Sequence, residues 1–561
     1  MNVDEVQRKL WEQSKEHKEH REAGRPLFPT NPYEKRIRNL MDLMHQPDWL
    51  CAAMHKVLKR SRNKAAGVDK ITAQKFVQNQ WEELEKLRLE LKRGTYRPQP
   101  LRRVEIPKAN GKMRPLGIPC LRDKIVQEAI RMALEPIFEI EFHENSYGFR
   151  PNRNTHHAVA RCQNLMGRGF TWVIEGDVKA CFDEISHKAI LSAVREKVMD
   201  NKFLNLIDLF LKAGVMIEGV LQPTVKGVPQ GGVISPLLAN AVLNKLDWFL
   251  HTKGMYEKEA NRRNWRRGEE NTRFVRYADD WCVFLTRSNK ERATELKKEI
   301  ADFLEKECGL RLSEEKTHVT HVRDGFDFLG FHLEVSIGQR NKPVPKIKVG
   351  AKAITNIRKR IDESLRYRAQ QESMALRIRR TSKIVRGWSN YFCIAHDFAN
   401  VAGKLDHYSY WSGIKAFCRK HEIPKGKCHK KYVFNHRPGI HPQCILGKFS
   451  DTKMSLDYRG PKPYEPGNVR YETDLELEVD FGFRENGRFG SADMKWEALK
   501  RDKFQCCECG VTVTAETSEA DHIKPVKRFA SFEEAHRLSN IQTLCLNCHR
   551  NKSKQARRKK V

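Results

Sequence analysis

The stretch Arg276-Tyr277-Ala278-Asp279-Asp280-Trp281 lies between two apolar runs, Phe274-Val275 and Cys282-Val283-Phe284-Leu285. Short β-type runs on either side of Ala-Asp-Asp predict a hairpin whose bend carries two neighbouring carboxylates. Aspartates favour turns by bonding their own backbone, so a solvated turn is the plain alternative. Two ionised carboxylates side by side repel, which raises one pKa or calls for a divalent cation. Hard oxygen ligands of this kind suit magnesium and phosphoryl chemistry. A second apolar run, Trp172-Val173-Ile174-Glu175-Gly176-Asp177-Val178, ends on a further aspartate and predicts a strand of the same antiparallel sheet. Carboxylates from separate strands are what a two-metal site requires, because its ions stand about 3.5–4 Å apart and must be held from both sides.

Composition sets the class of partner. The 561 residues carry 104 Lys and Arg against 71 Asp and Glu, a net charge of +33 spread through most of the chain. Such a field suits a polyanion and predicts binding that weakens steeply with salt; an anionic membrane surface is the competing partner. No apolar stretch approaches a membrane span, and mixed charge follows Met1-Asn2-Val3-Asp4-Glu5 in place of a signal core. A soluble intracellular protein is expected, in a bacterial cytoplasm or an organelle. Ten of the 15 cysteines are scattered from Cys51 to Cys444, while five crowd between Cys506 and Cys548. That crowding predicts a metal site in a reducing compartment.

Outward from the hairpin, residues 1–60 read as charged amphipathic helix, and Ala73 to Lys92 as another helix. Val104–Lys108 and Met113–Pro119 flank an Asn110-Gly111 turn and predict a second hairpin. Asp123 to Phe138 has helical spacing, and Asn145–Arg153 mixes aromatics, arginines and a glycine as a nucleic-acid track would. Helices are expected over 187–213. A Gly-rich turn, Gly227-Val228-Pro229-Gln230-Gly231-Gly232, precedes a helix from Ser235 to Leu250, with Ser235 as cap and Pro236 in the first turn. A charged helix over 290–307 follows the Asp-Asp hairpin. Strand-type residues thin out near 345. Residues 350–420 are helical, basic and aromatic, as in Arg386-Gly387-Trp388-Ser389-Asn390-Tyr391-Phe392, and 425–490 are turn-rich.

The ordered blocks Ile106–Pro119, Asn145–Arg153, Val173–His187, Gly227–Leu246, Phe274–Phe284, Leu310–Thr317 and Gly325–His332 resemble the successive blocks of a reverse transcriptase. More closely, about 60–420 resembles a group II intron-encoded protein, on the combination of Tyr-x-Asp-Asp with Gly-Val-Pro-Gln-Gly. The resemblance implies that Asp177 and Asp279 hold two magnesium ions, with Asp280 as the supporting carboxylate. It implies that Lys108 and Arg114 meet the incoming triphosphate, that Phe182 packs under the sugar and excludes a 2′-hydroxyl, and that Gln230 lies near the nascent pair. The basic aromatic helices are similar to the family's maturase or thumb domain.

At the C-terminus, Cys506-x-x-Cys509 and Cys545-x-x-Cys548 have zinc-knuckle spacing, with Cys507 as an adjacent competitor. Together with Asp521-His522, Asn540 and His549 they resemble the HNH, or ββα-metal, nuclease motif. By that match His522 is the base, Asn540 orients its loop, Asp521 and His549 hold a catalytic magnesium, and the four cysteines bind a structural zinc. Where the motif often has paired glycines this chain has Phe532-Glu533-Glu534-Ala535-His536.

The expected architecture is α+β and multidomain. It comprises an N-terminal helical extension (1–60), right-hand polymerase fingers and palm with an antiparallel sheet (61–345), a helical thumb/maturase domain (346–425), a DNA-binding linker (426–490) and a small zinc-binding HNH domain (491–561). The expected function is RNA-directed DNA synthesis with deoxynucleoside triphosphates, binding of a group II intron RNA, help in its splicing, and nicking of target DNA so that the intron is copied in. The alternatives are a retron or defence-type bacterial reverse transcriptase, and an RNA-folding maturase whose polymerase is vestigial.

Overall fold

The computed structural model describes residues 1–22, 37–60, 65–107, 113–217, 220–228, 231–254, 267–338, 343–365, 372–455, 461–466, 498, 501–502, 505–513, 518–524, 538–549 and 551–552. The expectations for Lys108, Gln230, Phe532–His536 and the side chain of Arg114 lie outside them. The chain divides into two compact units: Met1–Asp362 with Ile384–Ser409 and Lys448–Thr473, and Glu363–Lys383 with Tyr410–Gly447 and Asp474–Val561.

The first unit is built on the helix Leu121–Glu141, in which every residue from Ile125 to Glu139 is buried. A helix buried all round needs partners on every face. Pro136 lies inside it and has no N–H to give, which leaves the carbonyl of Met132 without its helical donor. The side chain of Gln7, from the helix Val3–Glu22, supplies that bond at 2.8 Å, and Lys18 caps the carbonyl of Ile140 at 2.8 Å. Trp49, from the helix Pro47–Arg60, donates its indole N–H to Ala129.

Eight strands of this unit form two sheets. β1 (Leu101–Pro107) and β2 (Met113–Ile118) are an antiparallel hairpin, extended by β4 (Val215–Ile217) and β5 (Val220–Gln222) in the order β2-β1-β4-β5. The other sheet takes β3 (Trp172–Asp177), β6 (Asn271–Tyr277), β7 (Asp280–Thr286) and β8 (His318–His321) in the order β6-β7-β3-β8, antiparallel throughout. β6 and β7 are buried along nearly their whole length; β7 carries the unbroken apolar run Trp281–Leu285, while β6 buries Asn271, Arg273 and Arg276 beside Phe274 and Val275. A third sheet has β9 (Phe326–Phe328), β10 (Phe331–Ile337) and β11 (Pro343–Val349).

Three details differ from expectation. The helix predicted over Ala73–Lys92 is two, Ala73–Gln78 and Gln80–Arg93, parted at Asn79, whose backbone leaves the helical region. Ser235 is not a side-chain cap: Ile234 already has helical dihedrals and takes the cap position, so Ser235 and Pro236 fall in the first turn. β11 runs through residue 345, so the expected boundary there falls inside a sheet.

The aromatics of 388–392 pack together rather than lining a surface. Trp388 meets Phe392 at 4.6 Å between centroids, and Tyr391 stacks on Phe331 at 5.4 Å. In the second unit β12 (Val433–Phe434), β13 (Arg437–His441) and β14 (Cys444–Ile445) form a small sheet, and β15 (Ser518–His522) pairs with β16 (Ile541–Cys545). Among the described residues no helix is long and apolar enough to cross a membrane.

Candidate active sites

Tyr277 at the end of β6 pairs with Asp280 at the start of β7, leaving Ala278 and Asp279 as a two-residue loop. Such loops need positive φ, and Ala278 has φ 58°. That conformation is costly for a residue with a Cβ, so the surroundings must hold it. A small network of contacts does so. Gly148 lies flat on the turn, where a Cβ would come within 2.3 Å of the Ala278 nitrogen. Arg276 donates from Nη1 to the Ala278 carbonyl at 2.8 Å and to Asn240 Oδ1 at 2.8 Å. Its Nε and Nη2 form a fork on Asp247 at 2.7 and 2.6 Å, and Asn240 in turn donates to the Gly148 carbonyl at 2.8 Å. Both charges of the Arg276–Asp247 pair are withdrawn from solvent, with side chains 1% and 0% exposed. Tyr147 and Asn145 bond the backbone of Arg276, so the Asn145–Arg153 segment is laced to the hairpin.

On the other side of β7, Asp280 pairs in register with Asp177 of β3, one position after Gly176 meets Trp281. A Cβ at Gly176 would lie 2.0 Å from the Trp281 ring. Asp177, Asp279 and Asp280 are thereby brought to one end of the sheet. Desolvation by the surrounding protein, then the charges of Asp279 and Asp177, push the Asp280 carboxyl up to about 7. Asp280 as a whole residue is exposed, so the upward direction rests most securely on its like-charged neighbours. Asp177 accepts from the ammonium of Lys316 at 2.7 Å. Lys316 arrives because Val178 bridges to Leu312, and Ser313 and Arg311 bond the backbone at Asp177 and Lys179.

Phe182 is the second residue of a short helix, Cys181–Glu184, which follows the left-handed Ala180, and its ring is half-buried. Its carbonyl accepts from Val228, and that of Ile185 accepts from Gly227, tying the start of the Gly-rich loop, Gly227-Val228, to it. Gly227 has φ 86°, and a Cβ there would meet the Asp183 carbonyl at 2.7 Å. A cavity of about 320 Å³ opens between this loop and the β1–β2 hairpin, lined by Arg103, Pro115, Gly117, Asp183, Lys226 and Val228 among others. In that hairpin the backbone of Arg114 faces Ile106.

A second constellation lies in the other unit. β15 and β16 pair His522 with Ile541 and Asp521 with Gln542. Asn540 accepts from the Lys524 N–H at 2.8 Å and donates to the Lys524 carbonyl at 3.1 Å, clamping the chain just past His522. His549 Nε2 lies 3.9 Å from Asp521 Oδ1, within the span of two bonds of about 2.1 Å to one magnesium. Lys552 contacts Asp521 at 2.5 Å and the His522 carbonyl at 2.7 Å.

The ligand atoms of Cys506, Cys509, Cys545 and Cys548 all lie within 4.8 Å of one another. The Cys509 and Cys545 sulfurs are 3.8 Å apart, the edge of a tetrahedron whose metal–sulfur bonds are about 2.3 Å. The cluster fits zinc. Burial pushes the Cys506 thiol up, but donors around Cys545, Glu508 and Cys509 outweigh it and bring the thiol down to about 6, which suits a thiolate ligand. Cys507 is drawn away toward Asp502 and Thr543.

Arg276, Asp247, Asn240, Lys316 and Lys552 were not among the sequence-predicted site residues. Asn240 and Asp247, seven apart on one apolar helix face, were the available signal for two of them.

A sheet bearing three clustered carboxylates, joined in one chain to a tetracysteine ββ element, defines a class: a metal-dependent nucleic-acid polymerase coupled to a nuclease-type domain. The sequence matches the reverse transcriptase (RNA-dependent DNA polymerase) family over 106–333, the group II intron maturase-specific domain over 354–433 and the HNH endonuclease family over 505–555. It is 41% identical to Protein YkfC of Escherichia coli K12, over 53% of this chain and 83% of that protein. It is 28% identical to the group II intron-encoded protein LtrA of Lactococcus lactis subsp. cremoris, over 90% of this chain and 94% of LtrA. Among solved structures, telomerase from Candida albicans with a fragment of telomeric RNA is similar over 60% of this chain and 61% of that one, at 12% identity and a TM-score of 0.33. The chain belongs to the group II intron-encoded reverse transcriptases that also carry maturase and HNH endonuclease domains. It is an RNA-directed DNA polymerase, and its work lies in intron splicing and mobility. The maturase and HNH matches set aside a retron or defence-type enzyme.

Proposed function

We propose that Asp177 and Asp279 hold two magnesium ions, with Asp280 as the third carboxylate, and that this centre copies intron RNA into DNA. The observation that carries the reading is the register of β3 and β7, which sets Asp177 opposite Asp280 with Asp279 next in the turn. The donor set fits: three carboxylates crowd together, and an ammonium already rests on one of them. Magnesium there would stabilise the charge on the attacking and leaving oxygens. The chain's own residues do the rest. Lys108 and Arg114 meet the triphosphate; Phe182 lies under the sugar; Gln230 stands by the nascent pair.

In this reading β1 to β11 make the fingers and palm, moving the earlier boundary from 345 to 349, and the helices after it make the thumb and maturase domain. Residues 426–490 contact DNA. In the HNH domain His522 draws the proton from water, Asn540 fixes the loop after it, Asp521 and His549 hold the nuclease metal, and the four cysteines hold zinc. The protein binds its intron RNA, assists splicing, nicks target DNA and extends the new 3′ end with deoxynucleotides. The three carboxylates remain together, which argues against a vestigial polymerase.

Primer extension on an RNA template tests the polymerase centre: Asp279→Ala should abolish it, and undiminished synthesis would overturn the metal assignment. His522→Ala should stop nicking by the RNA–protein complex while primer extension continues; loss of both would mean that the two chemistries are not separable.

A further inference from the structure

From Asn145 to Pro151 every residue is buried except Phe149, which is 57% exposed and has φ 57°. Left-handed backbone is sterically disfavoured for a residue with a Cβ, and an exposed phenyl ring gives up the burial that usually keeps it in place. The neighbours on both sides enforce the conformation. Gly148 is pressed on Ala278, with its carbonyl held by Asn240. Arg150 is locked by Glu139 at 2.9 Å and by the carbonyls of His143 and Ser146 at 2.6 and 2.8 Å. With both flanks fixed, the strain at Phe149 throws its ring outward, beside the carboxylate turn. An enforced outlier at such a place points to a role in the site.

The outward ring meets Phe182. Their centroids are 6.3 Å apart and their planes stand at 89°, the edge-to-face arrangement that aromatic quadrupoles favour. Phe182 sits on a helix of four residues that follows a left-handed alanine, so its own element gives it little support. A ring that excludes a hydroxyl does so only while it cannot rotate aside.

We propose that Phe149 is a positioning residue for sugar selection: its ring stands against Phe182 and stops that ring from yielding to a nucleotide that carries a 2′-hydroxyl. The proposal rests on the reading of Phe182 as the ring under the sugar. It also links selection to chemistry, since Gly148 ties the same segment to the turn that carries Asp279.

Single-nucleotide incorporation by the full chain, on an RNA template with a DNA primer, measures kcat/KM for a deoxynucleoside and a ribonucleoside triphosphate. Phe149→Ala should lower the deoxy/ribo ratio by about tenfold, mostly through faster ribonucleotide use, the order expected for loosening one apolar wall. Phe182→Ala should lower it further, and the double variant should match Phe182→Ala, because a support has no effect once its ring is gone. Phe149→Tyr should restore the ratio, which a merely structural role would not require of an exposed position. Phe149→Gly accepts φ 57° and keeps the test open if alanine lowers stability. An unchanged ratio in Phe149→Ala and Phe149→Gly beside a collapsed one in Phe182→Ala would overturn the proposal alone. Losses that multiply in the double variant would also overturn it. An unchanged ratio in Phe182→Ala would strike the reading of Phe182 itself, and the proposal with it.

Discussion

The ammonium of Lys316 lies 2.7 Å from Oδ2 of Asp177, the carboxylate proposed above to hold magnesium. The side chain is 65% exposed, so the pair is screened and its net worth is small. Lys316→Met should therefore tighten Mn²⁺ binding by about two- to fivefold, the range of an exposed ion pair, read from free Mn²⁺ by electron paramagnetic resonance. Unchanged or weaker binding would mean that lysine and metal do not compete for Asp177.

Behind the turn, Asp247 answers the guanidinium of Arg276 in a place closed to solvent. Asp247→Ala leaves a buried charge, at a cost of about 3–5 kcal/mol. Because the chain has two compact units, the effect is best read locally, as faster amide hydrogen exchange over Phe274–Phe284. Exchange as slow as in the parent protein would show that the pair does not hold the hairpin.

Asp280 supplies a pH test with a definite sign. Its folded pKa is raised from 3.8 to about 7, so its protonated form is favoured by folding. That stability is present in full below 3.8 and is lost as pH rises through 7. In metal-free buffer Asp280→Asn should melt above the parent protein at pH 8, and the gap should shrink as pH falls toward 4. A variant that melts no higher than the parent at pH 8 would refute the crowding of carboxylates.

The cysteines are separable by substitution. Cys506→Ser should lose bound zinc, measured by elemental analysis, and lower the melting temperature of the nuclease domain, since structural zinc sites contribute folding energy outright. Cys507→Ser should keep about one zinc per chain. Equal loss in both would return Cys507 to the ligand set.

What the sequence made legible was what local chemistry marks. Asp177 and Asp279 could be found because charge at the end of an apolar run is unusual within a few residues. The four clustered cysteines could be picked out because two Cys-x-x-Cys pairs have the spacing a metal imposes. Arg276 was visible but its purpose was not, since its partners Asn240 and Asp247 lie on a helix that reaches it only in the folded chain. Ser235 misled for a related reason: Ser-Pro has the chemistry of a cap, but the preceding Ile234 already turns as helix. Phe149 was marked only as one aromatic of the Asn145–Arg153 stretch; its strain, which arises from what grips its neighbours, was not legible.

The bond from Gln7 to Met132 bears on how the chain tolerates being cut. A proline-interrupted helix at the centre of the first unit is splinted by a segment that precedes it by more than a hundred positions. Deleting Val3–Glu22 would take the side-chain donors away from the carbonyls of both Met132 and Ile140. Polymerase activity lost on such trimming would thus report a broken brace rather than a missing nucleic-acid contact. A Gln7→Leu substitution, which keeps the bulk and removes the donor, would tell the two apart.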